Sequence, residues 1–590
     1  MKISNTYIGK GLLSVALLVL LSSCDITNLD INTDPNKPLA ASLSLLLTPA
    51  ELGALNIGVV NAGNTQSGGG YTGLLNNMSG FAGMMNSADS YGLDNGSYPD
   101  QWNRYYRNMQ NIEQILRATT DGKNPYYRGI ALAMKAYAVG NLVDMFGDVP
   151  YSKAWQGNVE GNDANTPFDK DSEIYEDLLK LCDQAVAEFA KAQPVAVSGD
   201  VIGGGSAVTW TRLTKTIKLR LLHNSRKGRA NGNAELKAAF DAGGYITSSA
   251  NDFFYQYSKQ ISPQDDRHPW FINTYNAGNG FTYINHQLMG EMILNKDPRF
   301  GMYFFRQTQT ILDANNPTDR GTLPYAGTYL VTRPTFLAEY KRVFYADKQE
   351  PTADDLKFLA GIFGRDRADN TGAPADGSLR TVPGAYPAGG LYGGREIAPK
   401  VLTAAARDGA SGNGIWPLIM SWNIKFYQVE AILDGTGVTG DARAIFETAM
   451  REQIASVTKF AQAADAKTPT PAAADVTAYV NAWLALYDSR PTNDGKLAVV
   501  AKQIWFCSWG QGQEIWNLMR RTKYPVQGPF SQFSTGIQPP ILKPGRQYAL
   551  RLPYPAQEGS LNSNAAKYVS DIIFDRDPIF WDKNKVKWEF

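Results

Sequence analysis

Two adjacent carboxylates, Asp265 and Asp266, lie among aromatic residues near the middle of the chain. A carboxylate pair is the minimum equipment for cleaving a glycosidic bond, with one group as acid and the other as base or nucleophile. The same pair also suits a solvated turn. Only three histidines occur, His223, His268 and His286, and none stands in an H-E-x-x-H pattern. No metal site is expected from them. Gly435-Thr-Gly437-Val-Thr-Gly440 fits G-x-G-x-x-G, but a dinucleotide site needs a strand before it, and a helical pattern precedes this one. It reads as a turn between helices with glycine caps. No G-x-S-x-G elbow and no P-loop occurs, and no cofactor is implied. What the loops do supply is aromatic side chains: Trp270, Tyr275, Phe281 and Tyr283, and beyond them Tyr91, Tyr98, Tyr386 and Tyr392. Flat apolar rings with polar tips suit sugar or peptide recognition. Loops rich in Gly, Asn and Pro are where function concentrates. These eight are the candidate ligand-binding residues, with local packing of long loops as the alternative.

The chain starts with Lys2 and Lys10, then an apolar run from Leu12 to Leu21 broken only by Ser14. A basic start and a short apolar run make a secretory signal. The run is too short to span a bilayer, which takes about 20 apolar residues. It ends in Leu21-Ser-Ser-Cys24, which resembles a bacterial lipobox. That resemblance implies a signal over 1–23, cleavage before Cys24, and a lipid on its thiol and new amino terminus. Two or more acyl chains anchor a protein stably. Residues 24–42 carry turn chemistry and no apolar period, as a flexible tether would. Lys and Arg total 57 against 56 Asp and Glu, and no basic run appears, so nucleic acid is not an expected partner. Hydrophobic residues make up 43% of the chain, enough for a large core. Beyond Cys24, only Cys182 and Cys507 remain, and they read either as free buried thiols or as one disulfide.

The rest of the chain must position the aromatic loops. Helical spacing of apolar residues is strong over 43–242. Trp102, Tyr105, Met109, Ile112 and Leu116 form one stripe. Pro125 opens the next helix, and Pro150 forbids its continuation because proline lacks an amide hydrogen. Further stripes run from Ile174 to Phe189 and from Trp210 to Leu222. Tyr71–Met85 reads as a closely packed helix. Over 243–423 the period weakens, Gly, Pro, Asn and Asp punctuate, and Gly327–Val331 reads as β-like. Helix returns at Ile424–Leu433, Asp441–Ala461, Ala473–Tyr487 and Leu497–Met519, within a second helical part over 424–524. Residues 525–590 are Pro-rich and irregular. Stacked helical hairpins without a strict 34-residue repeat are expected.

Six stretches, taken together, resemble the SusD/RagB family of nutrient-binding lipoproteins. Gly147-Asp148-Val-Pro150-Tyr151-Ser-Lys-Ala is similar to its "GD-P-YS-A" signature. Trp210-Thr-Arg-Leu-Thr-Lys-Thr-Ile-Lys-Leu-Arg220-Leu resembles its "W-LAN-L-LRLA" helix, and Asp297-Pro-Arg299 its "DPR". Asp441-Ala-Arg443-Ala-Ile-Phe resembles a further helix. Gln503-Ile-Trp505 and Glu514-Ile-Trp516-Asn-Leu-Met-Arg520-Arg521-Thr-Lys-Tyr524-Pro525 resemble "Q-W" and "EAW---RRTGYP". Arg551-Leu-Pro-Tyr554-Pro-Ala-Gln-Glu558 with Asn562 resembles "R-PYP--E---N". The stretch Ser421-Trp422-Asn-Ile-Lys-Phe-Tyr-Gln-Val-Glu430-Ala departs by lacking the first acid of "E--FL-AEA", and Leu213-Thr-Lys215 replaces "LAN".

The resemblance implies a mainly α fold over 43–590, in which tetratricopeptide-like helix pairs scaffold a loop-rich ligand-binding half. It implies a place on the outer face of the outer membrane, above a SusC-like TonB-dependent transporter. It also implies a binding role without catalysis, with an oligosaccharide or a peptide as ligand. A surface hydrolase using a carboxylate pair is the competing reading. The shared motifs look structural and do not name the ligand.

Overall fold

The computed structural model describes residues 42–59, 81–82, 90–97, 99–157, 165–276, 283–308, 315, 326–369, 379–394 and 407–584. Cys24, the signal, nearly all of the tether, Tyr98 and Phe281 lie outside the described residues, as does most of Tyr71–Met85.

The first helical part contains α1 (Leu43–Val59), α2 (Pro99–Ala118), α3 (Pro125–Phe146), α4 (Asp171–Phe189), α5 (Ala207–Ser225) and α6 (Gly232–Ala242). Neighbours in sequence pack on one another, α1 on α2, α3 on α4, α4 on α5. Local chemistry sets the ends. Pro125 occupies the first turn of α3, where its missing N–H costs nothing. Ser206 caps α5 by accepting from the Thr209 amide. Gly147 ends α3 at φ 82°, and a Cβ there would strike the Arg551 guanidinium.

The second helical part contains α10 (Ser421–Leu433), α11 (Ala442–Ala464), α12 (Ala473–Asp488), α13 (Asn493–Cys507) and α14 (Gly512–Thr522). The glycines of 435–440 form the α10–α11 turn, with φ of 71°, 87° and 139° at Gly435, Gly437 and Gly440. Leu497–Met519 is two helices, broken at Ser508–Gln511, where Gly510 sits at φ 96°.

Between the parts lie short strands and helices: α7 (His286–Leu294), α8 (Pro334–Tyr345) and α9 (Ala353–Ala360). Strand β1 (Phe81–Ala82) pairs antiparallel with β5 (Tyr283–Asn285), which pairs parallel with β7 (Gly364–Arg365). Thus the helix expected over Tyr71–Met85 is a strand where it is described. Strands β2 (Val149–Pro150) and β3 (Phe168–Asp169) pair, as do β4 (Phe253–Gln256) with β9 (Ile415–Ile419) and β6 (Phe304–Arg306) with β8 (Thr381–Pro383). The β-like run at Gly327–Val331 is two 3₁₀ turns with one bridge, Tyr329 to Phe363.

One apolar core runs through all three regions. Buried charge ties them. Glu514 on α14 receives Arg220 Nε at 2.6 Å and the Tyr427 hydroxyl at 2.5 Å. The motifs at the two ends of the chain meet: the Tyr554 hydroxyl donates to the carbonyls of Phe146 and Asp148, both at 2.7 Å, and Arg551 Nη1 donates to Phe146 at 3.1 Å. Cys182 and Cys507 are free and buried in helices.

Helix α1 docks through an acid pair. Asp200 accepts from Ile202, Gly203 and Gly205 amides and from Trp210 Nε1, which holds its carboxyl below the usual range. Burial beside this charge pushes Glu51 up to about 10. Glu51 is therefore protonated at neutral pH in the folded protein and ionised when unfolded. Stability from this group is complete below about pH 4.5 and declines as pH rises toward 10. Glu51→Gln, which keeps the shape and a donor to Asp200, is expected to stabilise by about 1–3 kcal/mol at pH 7. Thermal melts at pH 5 and pH 8 check this: the advantage should be larger at pH 8.

Candidate functional site

An open cleft of about 690 Å³ lies where α12 meets the 295–302 turn, Tyr392 and the C-terminal segment at Gln532–Phe533. Small-molecule sites span roughly 300–1,000 Å³. One stripe of α12 forms a wall, through Asp475, Ala478, Tyr479 and Ala482, with Ala472 just before the helix. These positions recur at helical spacing, and the short side chains of Ala472, Ala478 and Ala482 leave the space open. Pro469-Thr470-Pro471 rims it, following the end of α11.

The floor is held by the Asp297-Pro-Arg299 turn. Arg299 Nε and Nη2 meet the Asp297 carboxylate at 2.8 and 2.5 Å. The same guanidinium donates to Gln453 at 2.6 Å, to the Tyr479 hydroxyl at 2.7 Å, and to the Cys507 sulfur at 3.1 Å. Tyr479 is thereby fixed in the cleft wall, and burial raises its phenol well above the ordinary range. Asn295 accepts from the Phe533 amide at 3.0 Å, and Gln532 donates to the Leu294 carbonyl at 3.0 Å. These two bonds seat the C-terminal segment on the end of α7. Tyr392 is anchored by its amide, which donates to Asp465 at 2.9 Å, while its ring stays half-buried. The cleft thus offers the rings of Tyr392 and Phe533, three prolines, and the exposed charges of Lys296 and Asp475, with Tyr479 buried in its wall. Rings, apolar edges and scattered polar groups can hold a sugar by stacking and hydrogen bonding.

Of the six candidate aromatics among the described residues, only Tyr392 lines this cleft. Five are interior. Trp270 packs against Trp509 and Trp416, with ring centres at 5.0 and 5.8 Å. Tyr275 stacks on Phe271 at 4.8 Å and donates to the Pro383 carbonyl at 2.9 Å. Tyr283 lies between the guanidinium groups of Arg380 and Arg365, at 4.5 and 4.9 Å. Tyr91 meets Tyr548 edge-on at 5.2 Å, and Tyr386 stacks on Tyr303 at 5.6 Å. All five are at most 4% exposed, so none presents a ring face to a ligand. The physical reason is that these loops have no helix period of their own and bury their rings against each other. Phe281 and Tyr98 are not among the described residues.

The chemical alternatives are also placed. Asp265 is bound by Arg267 at 2.8 and 2.6 Å, which holds its carboxyl below the usual range. Asp266 accepts from the Tyr255 hydroxyl at 2.8 Å and from the Ser258 amide. Each acid is engaged in its own turn. His268 accepts from the Trp270 amide, and burial pushes it down to about 3. His286 contacts the Thr328 carbonyl at 3.0 Å and Asp366 at 3.5 Å. Among the described residues, no group of three His, Cys, Asp or Glu is placed to hold a metal. Sequence reading missed the α12 stripe, Phe533 and Asn295. The signal available was the Pro-Thr-Pro stretch running into an alanine-rich helix.

Fold and cleft together define a helical binding scaffold carrying an aromatic-lined pocket. The family described as starch-binding and associating with the outer membrane matches over residues 35–330, and that of SusD and RagB outer membrane lipoproteins over 410–581. The chain belongs to the SusD/RagB family. It is a family of outer membrane lipoproteins, and membership carries a nutrient-binding role at that membrane. Solved structures share the fold. A SusD homologue from Bacteroides fragilis aligns at 16% identity and TM-score 0.63, covering 92% of this chain and 100% of that one. A SusD/RagB family protein from Bacteroides thetaiotaomicron aligns at 17% and 0.63, covering 92% and 99%. A chitin-binding SusD homologue from Flavobacterium johnsoniae aligns at 17% and 0.61, again covering 92% and 99%. No curated protein matches the sequence.

Proposed function

We propose that this protein is a surface lipoprotein that captures an oligosaccharide in the Tyr392 cleft and passes it to a SusC-like TonB-dependent transporter. The observation that carries the reading is the cleft itself: half-buried Tyr392 and Phe533 facing a proline and alanine wall, in a family whose description names starch. A chitin-binding structural relative adds support for a polysaccharide ligand. Lipidation at Cys24 would hold the body at the membrane, facing outward, on the tether of residues 24–42. Among the described residues lining the cleft, Asp475 is the one acid and it is exposed, which supports binding without turnover.

The test is calorimetric titration of the mature protein, beginning after Cys24, with a panel of neutral, amino and acidic oligosaccharides and with peptide mixtures. Product analysis in the same samples reports any turnover. Tyr392→Ala is expected to weaken glycan binding by about tenfold or more, since one stacking ring contributes roughly 1–3 kcal/mol, and to leave the melting temperature nearly unchanged. Binding to peptides alone would replace the sugar with a peptide. Products would overturn the binding role. Co-purification with an outer-membrane barrel, lost on Cys24→Ala or not, would separate the lipid from the protein contact.

A further inference from the structure

The Phe533 ring reaches the cleft on a closed loop. The ends of the loop are fastened to each other: the Ile537 amide donates to the Val526 carbonyl at 2.8 Å, and the Gly528 amide to the Ile537 carbonyl at 3.0 Å. A surface loop with its ends joined packs as one compact unit. Within it Phe533 takes φ 56°, a left-handed backbone uncommon for residues other than glycine. Such a conformation persists only where its surroundings over-determine it. The Trp483 ring meets the Phe533 ring edge-on at 5.4 Å and supplies part of that hold.

The rest comes from beneath the loop. Gln287 and Glu291 stand four apart on one face of α7, and Lys502 comes from α13. Lys502 Nζ meets Glu291 Oε2 at 2.6 Å, and both side chains are fully buried. The same ammonium donates to the Gly536 carbonyl at 2.5 Å. Gln287 Nε2 donates to Glu291 Oε1 at 2.8 Å and to the Gly536 carbonyl at 3.2 Å, and the Gln287 oxygen accepts from the Gln538 amide. The Ser531 amide also acts on the Glu291 carboxylate. A buried ion pair is not in general a stabiliser, since well-packed apolar side chains of similar volume often do as well or better. What apolar side chains cannot do is give the Gly536 carbonyl a donor and the Ser531 amide an acceptor. The pair thus grips the loop on both sides of Phe533, at Ser531 and at Gly536.

We infer that Glu291 and Lys502 are positioning residues for the cleft: together they latch the 526–537 loop, and without the latch Phe533 leaves its place as a binding ring. Neither side chain lines the cleft, so neither touches the ligand. They act through Phe533, whose amide is in turn held by Asn295, itself a cleft residue. This inference rests on the glycan reading above.

A single substitution would strand the other charge in the core, so the experiment changes both residues together. Glu291→Leu with Lys502→Met removes both grips, and its melting temperature is expected to hold or rise. Hydrogen exchange of the unliganded mature protein should show the amides of 531–538 losing protection about tenfold or more, with α12 unchanged. Titration with maltoheptaose and with chitohexaose should show affinity down about tenfold, the loss expected for Phe533→Ala. Adding Phe533→Ala to the double variant should then cost nothing further, because the ring has already left the cleft. Additive losses would make the pair a structural tie that does not act through Phe533, and would overturn the inference. Unchanged exchange over 531–538 would overturn it as well. Gln287→Leu frees Gly536 and Gln538 while keeping the ion pair, and serves if the double variant does not fold: the same amides should loosen, and full protection there counts against the latch. If neither sugar binds the parent, the glycan reading falls, and exchange alone decides the latch.

Discussion

Glu430→Gln should cost about 3–5 kcal/mol of stability, among the largest single-residue effects in this protein. Glu430 is fully buried on α10. Its Oε1 takes Arg226 Nη2 at 2.8 Å and Arg521 Nε at 3.1 Å. Its Oε2 takes Arg521 Nη2 at 3.1 Å and lies 3.2 Å from His223 Nε2. These partners come from the end of α5, the turn after it, and α14. One carboxylate thus joins the early and late helical parts. A neutral amide of the same shape would leave two buried guanidinium groups facing a weak dipole. Chemical denaturation of parent and variant measures the loss.

The same site predicts acid sensitivity. The neighbouring guanidinium groups hold Glu430 well below the usual carboxylate range. A lowered carboxylate contributes stability above its unfolded pKa near 4.5, and that contribution is lost as pH falls through the folded value. Burial also pushes His223 down to about 4 from 6.5, so the folded state resists a proton that the unfolded chain accepts. Stability from His223 therefore falls as pH drops from about 6.5 to 4. Both effects have one sign. Between pH 6.5 and 4.5 the His223 loss runs against the Glu51 gain, so melting temperature should drop clearly only below about 4.5, and Glu430→Gln should flatten that lower part of the curve.

Gly393→Ala is expected to damage both fold and binding. Gly393 donates to the Gly301 carbonyl at 2.6 Å, and a Cβ on it would overlap the Phe304 carbonyl oxygen. The obstruction is backbone, which cannot rotate away, so the cost belongs at the upper end of the roughly 1–3 kcal/mol seen for overpacking. The displaced segment carries Tyr392 on one side and the carbonyl that accepts from Arg306. Glycan affinity at the cleft should fall with stability. Gly157→Ala is the control, because nothing lies within 4 Å of its Cβ position, and it should change neither. Parallel melts and titrations of the three proteins decide it.

The helices outside the loop-rich region were legible because their apolar residues recur at 3.6 and their ends carry strong local signals. Pro125, Ser206 and the glycines of 435–440 stop or start helices through their own backbone chemistry, whatever surrounds them. Helix α7 gave no such signal. Every residue from His286 to Leu294 is buried, the polar His286, Gln287 and Glu291 included, so no solvent face marks a period to read. The break between α13 and α14 falls at Ser508-Trp-Gly510-Gln-Gly512, whose glycines were the available signal, but the stretches on both sides are buried and the apolar pattern resumes at once.

The family motifs were legible as a set, and the structure explains why they say little about a ligand. Asp148 accepts from Lys170 at 2.7 Å and from the Asp171 amide at 2.9 Å, Glu514 from Arg220, and Glu430 from Arg521. They are ties between distant segments of the scaffold.

By itself, the sequence determined the helical class, most helix positions and the family, since each rests on local spacing or short motifs. Only the tertiary structure decided which loop aromatics are core and which line a cleft. Trp270 and Tyr392 are alike as aromatic residues in glycine-rich surroundings. Trp270 is covered by Trp416 and Trp509, which arrive from β9 and from the break before α14. Tyr392 faces an alanine stripe too short to cover it. Exposure is a property of what arrives from elsewhere in the chain, and no local pattern encodes that.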